Sequence, residues 1–394
     1  GYLAYSGGAY PDLWLMLGDN AYESGTDTEY QAAVFDVYAP FLRRSPLWPT
    51  RGNHDAIYAG GSNDYYDIFT MPTAGQAGGN SSGTEAWYSF DHGDVHLICL
   101  DSEGSARTPG SPMLTWLAAD LAASTKKWTI AFWHHPPYTK GSHDSDIDSD
   151  SGGRMRDMRV NVLPVLEAGG VDLVLCGHSH SYERSYLLDE HYGYSASLVD
   201  SMKLDDGDGR PTGDGAYVKP TAGHSAPHEG AVYAVAGSSS RTGGGALNHA
   251  AMFRSLDILG SMELTIDDAQ LNATFIDDDG LVQDSFVMVK GAVSGVPDGG
   301  PVTGPIILTG RPNPFRTLWQ LSGTLPSEGP TRVEILDPSG RLVRTLVDAV
   351  RPAGPFDFVW DGRNDGGQAV GAGIFFARVV HGDRAASIKI VRSR

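Results

Sequence analysis

Cysteine is nearly absent: two occur in 394 residues, Cys99 and Cys176. That count excludes a disulfide framework. Both stand inside apolar runs (HLICL and LVLC) and read as small buried hydrophobes. No apolar run approaches the roughly 18 residues that a membrane-spanning helix needs. Positive charge is short as well, with 29 Lys and Arg against 48 Asp and Glu, a net charge of −19. Such a field repels nucleic-acid backbones and argues against a nucleic-acid partner. It repels small anionic substrates too, unless bound cations reverse its sign locally. Neither an initiator Met nor a signal-peptide pattern is present, so Gly1 reads as the product of a removed leader or as a fragment boundary.

Glycine is abundant, 50 residues with 23 Pro, but scattered without the period of collagen. The length predicts two domains. LWLML (13–17), VHLICLD (95–101), WTIAFW (128–133) and VDLVLC (171–176) are short apolar runs bounded by polar turns, predicted as strands buried on both faces. Helices are predicted between them at Glu29–Leu42, Pro112–Ala123 and Met158–Ala168. Together these imply a layered α/β fold. AVYAVAG (231–237), SMELTID (261–267), LNATFID (271–277) and SFVMVK (285–290) are predicted to complete a second sheet. Asp189 to Gly230, polar and rich in glycine, reads as a solvated loop or lid. The domain limits are predicted as 1–290, a Gly/Pro/Val linker at 291–306, and a small all-β sandwich at 307–394.

Four segments concentrate metal-binding side chains: Gly18-Asp19-Asn20-Ala21-Tyr22, Gly52-Asn53-His54-Asp55, His134-His135-Pro136-Pro137-Tyr138, and Gly177-His178-Ser179-His180-Ser181-Tyr182-Glu183-Arg184. Three follow a strand candidate directly; the second follows only PLWPTR. Loops at the carboxyl ends of parallel strands converge on one crevice. GD alone is ordinary turn chemistry, and GNHD alone could be the same. Two histidines at i and i+2 after a buried strand are harder to explain by packing. A carboxylate can bridge two cations, while an amide oxygen and imidazoles suit Zn, Fe or Mn. Two metals in such a site neutralise a phosphate ester and generate hydroxide near neutral pH.

GDNAY, GNHD, WHHPPY and GHSHSYERS resemble the successive signatures of the calcineurin-like metallophosphoesterase superfamily, and within it of the purple acid phosphatases. The likeness covers about residues 10–290 and implies a four-layer αββα sandwich. It implies that Asp19 bridges two metals, that Tyr22 and His180 bind Fe(III), and that Asn53, His134 and His178 bind a divalent Zn, Mn or Fe(II). His54 would contact the phosphate and assist the leaving group, and His143 would face the substrate. Asp55, His135 and Tyr182 would shape or support the site without binding metal. The family's strand ending in a GDxG segment has no counterpart among the 17 residues before Gly18, whose sole acid is Asp12; a truncated N-terminus lacking one strand and one metal-binding Asp is expected, with natural loss of that motif as the alternative.

PNPF (312–315), DPSGRLVRTL (337–346), VWDGRNDGG (359–367) and GIFFARV (373–379) resemble the immunoglobulin-like domain of flagellar hook-capping proteins and the sorting domains of secreted bacterial proteins. That resemblance implies export, then engagement of secretion machinery or cell-surface attachment. The expected function is a secreted, periplasmic or surface phosphatase that hydrolyses small phosphate monoesters by attack of a metal-bound hydroxide. A phosphodiesterase or nucleotidase on the same scaffold and a non-catalytic surface protein are the alternatives.

Overall fold

The computed structural model describes residues 1–57, 64–211, 213–268, 270–291, 307–311, 313–316, 318–325, 327–382 and 384–393. The predicted linker lies outside them except for Gly291. Packing divides the chain into two compact units. One holds most of the chain from Tyr10 to Lys290; the other holds the strands from Ile307 onward, with the short pieces Leu3–Ala9 and Pro211–Gly215.

In chain order the first strands are β1 (Trp14–Met16), β2 (Leu47–Pro49), β3 (Tyr88–His92), β4 (Val95–Cys99), β5 (Trp128–Trp133), β6 (Leu173–Cys176) and β7 (Tyr182–Ser185). β1 and β2 form a parallel pair. The main sheet has seven strands in the order Met252–Leu256, β7, Val232–Ala236, β6, β5, β4, β3. Its four central strands, β4, β5, β6 and Val232–Ala236, are parallel. Alternate residues of a strand face opposite sides, and here both sides are covered. Leu97, Cys99, Phe132 and Leu175 enter one core, while Ile98, Leu100, Ala131 and Val174 enter another.

A second sheet closes the first core. Its order is Tyr217–Lys219, Val282–Lys290, Gln270–Asp277, Gly260–Ile266, and it contributes Leu271, Ala273, Phe286 and Met288. Helices close the second core through Met113, Leu117 and Leu121 on one, and Met158, Val162 and Leu166 on the other. Each fully buried Leu or Phe in these cores contributes about 1.5–3 kcal/mol. The fold is the α/β sandwich that the sequence predicts. Both cysteines are buried free thiols, and burial pushes the Cys99 thiol up to about 12.

Four local expectations are corrected. Val232–Ala236 does not join the second sheet. It inserts between β6 and β7, because four of its five residues are buried and only a central strand covers both faces. The helix predicted over Glu29–Leu42 breaks into Asp27–Tyr30, a π-turn at Gln31–Phe35, and Ala39–Leu42, since Pro40 has no N–H for a continuous ladder. The helix predicted from Met158 starts already at Arg154, and before Pro164 it widens, Leu163 N–H donating to the Met158 carbonyl. The stretch 189–230 is no simple loop: Lys203–Asp205 pairs with Leu187–Leu188, and Tyr217–Lys219 forms an edge of the second sheet.

That edge strand also carries a buried charge cluster. Asp172 accepts from Lys219 Nζ at 2.7 Å and Lys290 Nζ at 2.6 Å, and further from Ser225 Oγ and the Thr129 N–H, each at 2.8 Å. Burial pulls Lys290 down to about 8 against the pull of Asp172.

The second unit is a small all-β immunoglobulin-like sandwich. A three-stranded sheet, Ile307–Arg311, Trp319–Leu325 and Gly354–Trp360, is accompanied by a four-stranded one in the order Leu342–Arg351, Gly329–Leu336, Gly373–His381, Arg384–Arg392. Period-two alternation puts Val333 and Ile335, and Phe375, Ala377 and Val379, into one core with Trp319 and Trp360.

Candidate metal centre

All four segments leave the carboxyl end of a strand: Gly18-Asp19 after β1, Gly52–Asp55 after β2, His134–Tyr138 after β5 and Gly177–Ser181 after β6. The three-residue β2 therefore does supply the strand behind GNHD. Close approach explains the glycines. A Cβ on Gly52 would stand 2.2 Å from the Asp19 nitrogen, and one on Gly18 would stand 2.4 Å from His134 Nδ1. Asp19 (φ 51°) and His178 (φ 64°) occupy the left-handed region, which costs a non-glycine residue free energy and is concentrated at functional sites.

The donor atoms form one continuous row. Tyr22 Oη lies 3.3 Å from His180 Nε2 and 3.2 Å from Asp19 Oδ2. Asp19 Oδ2 lies 3.2 Å from His134 Nε2, which is 3.0 Å from Asn53 Oδ1 and 3.1 Å from His178 Nδ1. Asp19 stands in the middle, and its other oxygen accepts the His54 N–H at 2.8 Å. His178 and His180 do not present one face: the left-handed turn at His178 sends them to opposite ends of the row.

This row fits cations better than it fits hydrogen bonds. His134 Nδ1 is 2.8 Å from the Leu17 carbonyl, so Nδ1 carries the proton and Nε2 a lone pair. In the neutral ring that lone pair faces Asn53 Oδ1 and Asp19 Oδ2, both acceptors, and a single proton on Nε2 could serve them only by being shared. Metal–ligand bonds of about 2.1 Å put neighbouring ligand atoms about 3.0–3.4 Å apart, the spacing found here. The electrostatics favour positive charge at this point, which a proton on Nε2 supplies when no cation does. Burial alone would lower His134, yet the Asp19 carboxylate and the Leu17 carbonyl outweigh it and raise its pKa. Burial would raise Asp19, but His134 and the His54 N–H hold it well below the carboxylate range. Tyr22 is pushed up by burial and by Asp19, so its phenolate forms only against a positive charge.

The surrounding residues divide clearly. Asp55 is buried behind the row, accepting from Asn20 N–H and Nδ2 at 2.9 Å each, Gly52 N–H at 2.8 Å and Tyr30 Oη at 2.6 Å; burial pushes it up to about 6. His54 is partly exposed, with Nδ1 2.7 Å from the Glu23 carbonyl and its ring against Tyr22. His135 packs on both His134 and His178 and pairs with Ser102 Oγ at 2.9 Å; burial and its two imidazole neighbours depress its pKa. His143 stacks on His178 with ring centroids 3.9 Å apart and meets Asp150 at 2.9 Å.

Tyr182 is not brought to this place. It lies in the core between the sheets, stacked on Phe275 and donating to Asp284 at 2.8 Å. Two residues after His180, a strand geometry has begun and the side chain turns inward. Asp150 and Ser151, in contrast, were not selected from sequence, although Ser151 Oγ stands 2.6 Å from His178 Nε2 and Asp150 groups with His143 and His178. Their only signal is the acidic run DSDIDSDSGG.

Residues 7–182 match the calcineurin-like phosphoesterase family, and residues 319–383 match the FlgD Ig-like domain. The chain is 26% identical over 225 residues to purple acid phosphatase 15 of Arabidopsis thaliana, covering 50% of this chain and 40% of that protein. It is 31% identical over 183 residues to purple acid phosphatase 1 of Ipomoea batatas, covering 43% of this chain and 36% of that protein. The chain thus spans well under half the length of these curated relatives. A solved purple acid phosphatase from yellow lupin (Lupinus luteus) seeds overlaps 71% of this chain and 47% of its own, at 17% identity and a TM-score of 0.48.

Proposed function

For a chain that carries a calcineurin-like phosphoesterase domain, we propose hydrolysis of small phosphate monoesters with two cations held by Asp19, Tyr22, Asn53, His134, His178 and His180. The observation that carries this reading is the placement of His134 Nε2, its ring fixed by the Leu17 carbonyl, at 3.0 Å from Asn53 Oδ1, 3.2 Å from Asp19 Oδ2 and 3.1 Å from His178 Nδ1. Cations there would neutralise the ester's charge and supply a strong nucleophile near neutral pH. Tyr22, Asp19 and His180 are hard or borderline donors suited to Fe(III), and Asn53, His134 and His178 suit Zn, Mn or Fe(II). With Nδ1 engaged by Glu23, His54 has Nε2 left to bind the phosphate and hold the proton for the leaving oxygen. Export, with attachment or sorting by the C-terminal sandwich, completes the proposal, and its support is the FlgD Ig-like match.

The test is metal analysis with turnover on p-nitrophenyl phosphate and on its bis-ester, in full-length protein and His178→Ala. The expectation is two metals per chain, faster turnover of the monoester, and loss of one metal and most activity in the variant. Faster turnover of the bis-ester would favour a phosphodiesterase. Less than about one metal per chain, with no turnover, would support a non-catalytic surface protein. Iron at the Tyr22 end predicts a violet phenolate charge-transfer band that Tyr22→Phe removes.

A further inference from the structure

Ser151 stands beside the candidate centre in a backbone conformation made for glycine. Its φ is 53°, and Gly152 and Gly153 after it are left-handed too, at 62° and 81°. A side chain there costs free energy, so what the serine adds is its hydroxyl. That hydroxyl lies 2.8 Å from Asp150 Oδ1 and 2.6 Å from His178 Nε2. Both partners of the contact are held. Arg154, paired with Glu103 at 2.8 Å, donates to the Ser151 carbonyl at 2.9 Å. Asp150 Oδ2 accepts the Asp144 N–H at 2.9 Å, and Oδ1 also meets His143 Nδ1 at 2.9 Å.

The protons along this chain assign the tautomer of His178. An ionised carboxylate only accepts, and a serine hydroxyl has one proton to give. Ser151 therefore donates to Asp150, and its oxygen accepts from His178. The proton of the neutral His178 ring then sits on Nε2, and Nδ1 keeps the lone pair. Nδ1 is the atom that lies on the donor row, 3.1 Å from His134 Nε2. The opposite tautomer would leave Ser151 Oγ between two acceptors, His178 Nε2 and Asp150 Oδ1, with one proton for both. In the first arrangement each contact has a proton of its own, so hydrogen bonds alone account for this chain.

We propose that Ser151 and Asp150 are positioning residues for the divalent cation: Asp150 orients the Ser151 hydroxyl, and the hydroxyl holds His178 with Nδ1 presented as the ligand atom. A ligating imidazole commonly gives its other N–H to such a partner, which fixes its tautomer and the direction of its ring. The proposal rests on the assignment of His178 as a metal ligand in the reading above. Both residues act on the cation only through His178.

The experiment measures Zn(II) affinity by competition against a chelator, in full-length protein and its variants. Ser151→Gly removes the hydroxyl and suits the left-handed backbone, so it should fold with unchanged or higher stability. Its affinity for one of two Zn(II) ions is nevertheless expected to fall roughly 10- to 100-fold. Asp150→Ala should lose a similar amount, and the double variant no more than Ser151→Gly alone, because Asp150 acts through the hydroxyl. Nitrogen-15 NMR of the metal-free protein reads the same relay without cation or turnover. His178 should carry its proton on Nε2 in wild type and exchange between tautomers in Ser151→Gly. Full Zn(II) affinity in Ser151→Gly, additive losses in the double variant, or a wild-type proton on Nδ1 would each overturn the inference, as would a wild type that takes up no Zn(II). Two bound cations and the expected tautomer, with no turnover of p-nitrophenyl phosphate, would count against the monoesterase reading alone.

Discussion

Asp55 and Asn20 tie the loop after β2 to the loop after β1 through two hydrogen bonds, the Asn20 N–H and Nδ2 each 2.9 Å from the Asp55 carboxylate. Neither side chain belongs to the donor row, yet both fix where Asp19 and Asn53 stand. Asp55→Ala is therefore expected to weaken metal binding about 10- to 100-fold, the usual effect of removing an outer support of a ligand. Asp55→Asn, which keeps one acceptor oxygen, should lose less. Metal competition against a chelator measures both, and wild-type affinity in Asp55→Ala would contradict the supporting role.

Gly52→Ala tests the close approach of the same two loops. The new methyl would lie 2.2 Å from the Asp19 nitrogen and 2.3 Å from its Oδ1, so the Asp19 carboxylate must move. We expect a loss of about 1–3 kcal/mol in stability from overpacking and a more than tenfold loss in turnover. Gly223→Ala serves as the control, since nothing lies within 4 Å of its added carbon and its effect should stay within about 0.5 kcal/mol.

Asp172→Asn should be more damaging to the fold than to the chemistry. The change strands the Lys219 and Lys290 ammonium groups, each side chain 0% exposed, without their shared counter-charge. Breaking a buried pair by removing one partner costs about 3–5 kcal/mol. Denaturant unfolding reads the loss directly. Near-neutral behaviour would mean that water or a neutralised lysine replaces the carboxylate.

Stability should rise between neutral pH and about pH 4.5 because of Glu167. Burial raises its carboxyl to about 7, against hydrogen bonds from Tyr192 and Tyr233 and the Glu190 N–H. The folded state then holds a proton that the unfolded state, with a carboxyl near its ordinary 4.5, releases. The unfolded chain binds fewer protons across this window, so stability falls as pH rises through it and is fully present below it. The contribution amounts to about 3 kcal/mol at most. Unfolding curves at pH 5, 6 and 7.5 should show the slope in wild type and a flatter one in Glu167→Gln; equal slopes would refute the assignment.

The donor row was legible in the sequence because its members stand at strand ends and combine residue types that packing seldom requires together. Gly18, Gly52 and Gly177 marked the turns, and the short β2 was visible only as PLWPTR. What stayed hidden depends on contacts between distant segments. Asp150 and Ser151 lie in a Ser/Gly/Asp-rich stretch with no period to read, and their neighbours are fixed by tertiary packing. Tyr182 misled through its place in the chain: closeness to His180 in sequence says nothing of which side of a strand it takes. Val232–Ala236 misled in the same manner, since hairpin strands follow it in sequence while its paired strands precede it.

The position of that strand limits how far the enzyme-like part can be trimmed. The family match ends at residue 182, but β6, which feeds His178 and His180 into the centre, is hydrogen-bonded on one side to Val232–Ala236. A fragment cut after the last matched residue would leave β6 as a bare apolar edge, open to pairing with other chains. The smallest autonomous piece must therefore run on past residue 236, and during synthesis the centre cannot settle until that length of chain has emerged.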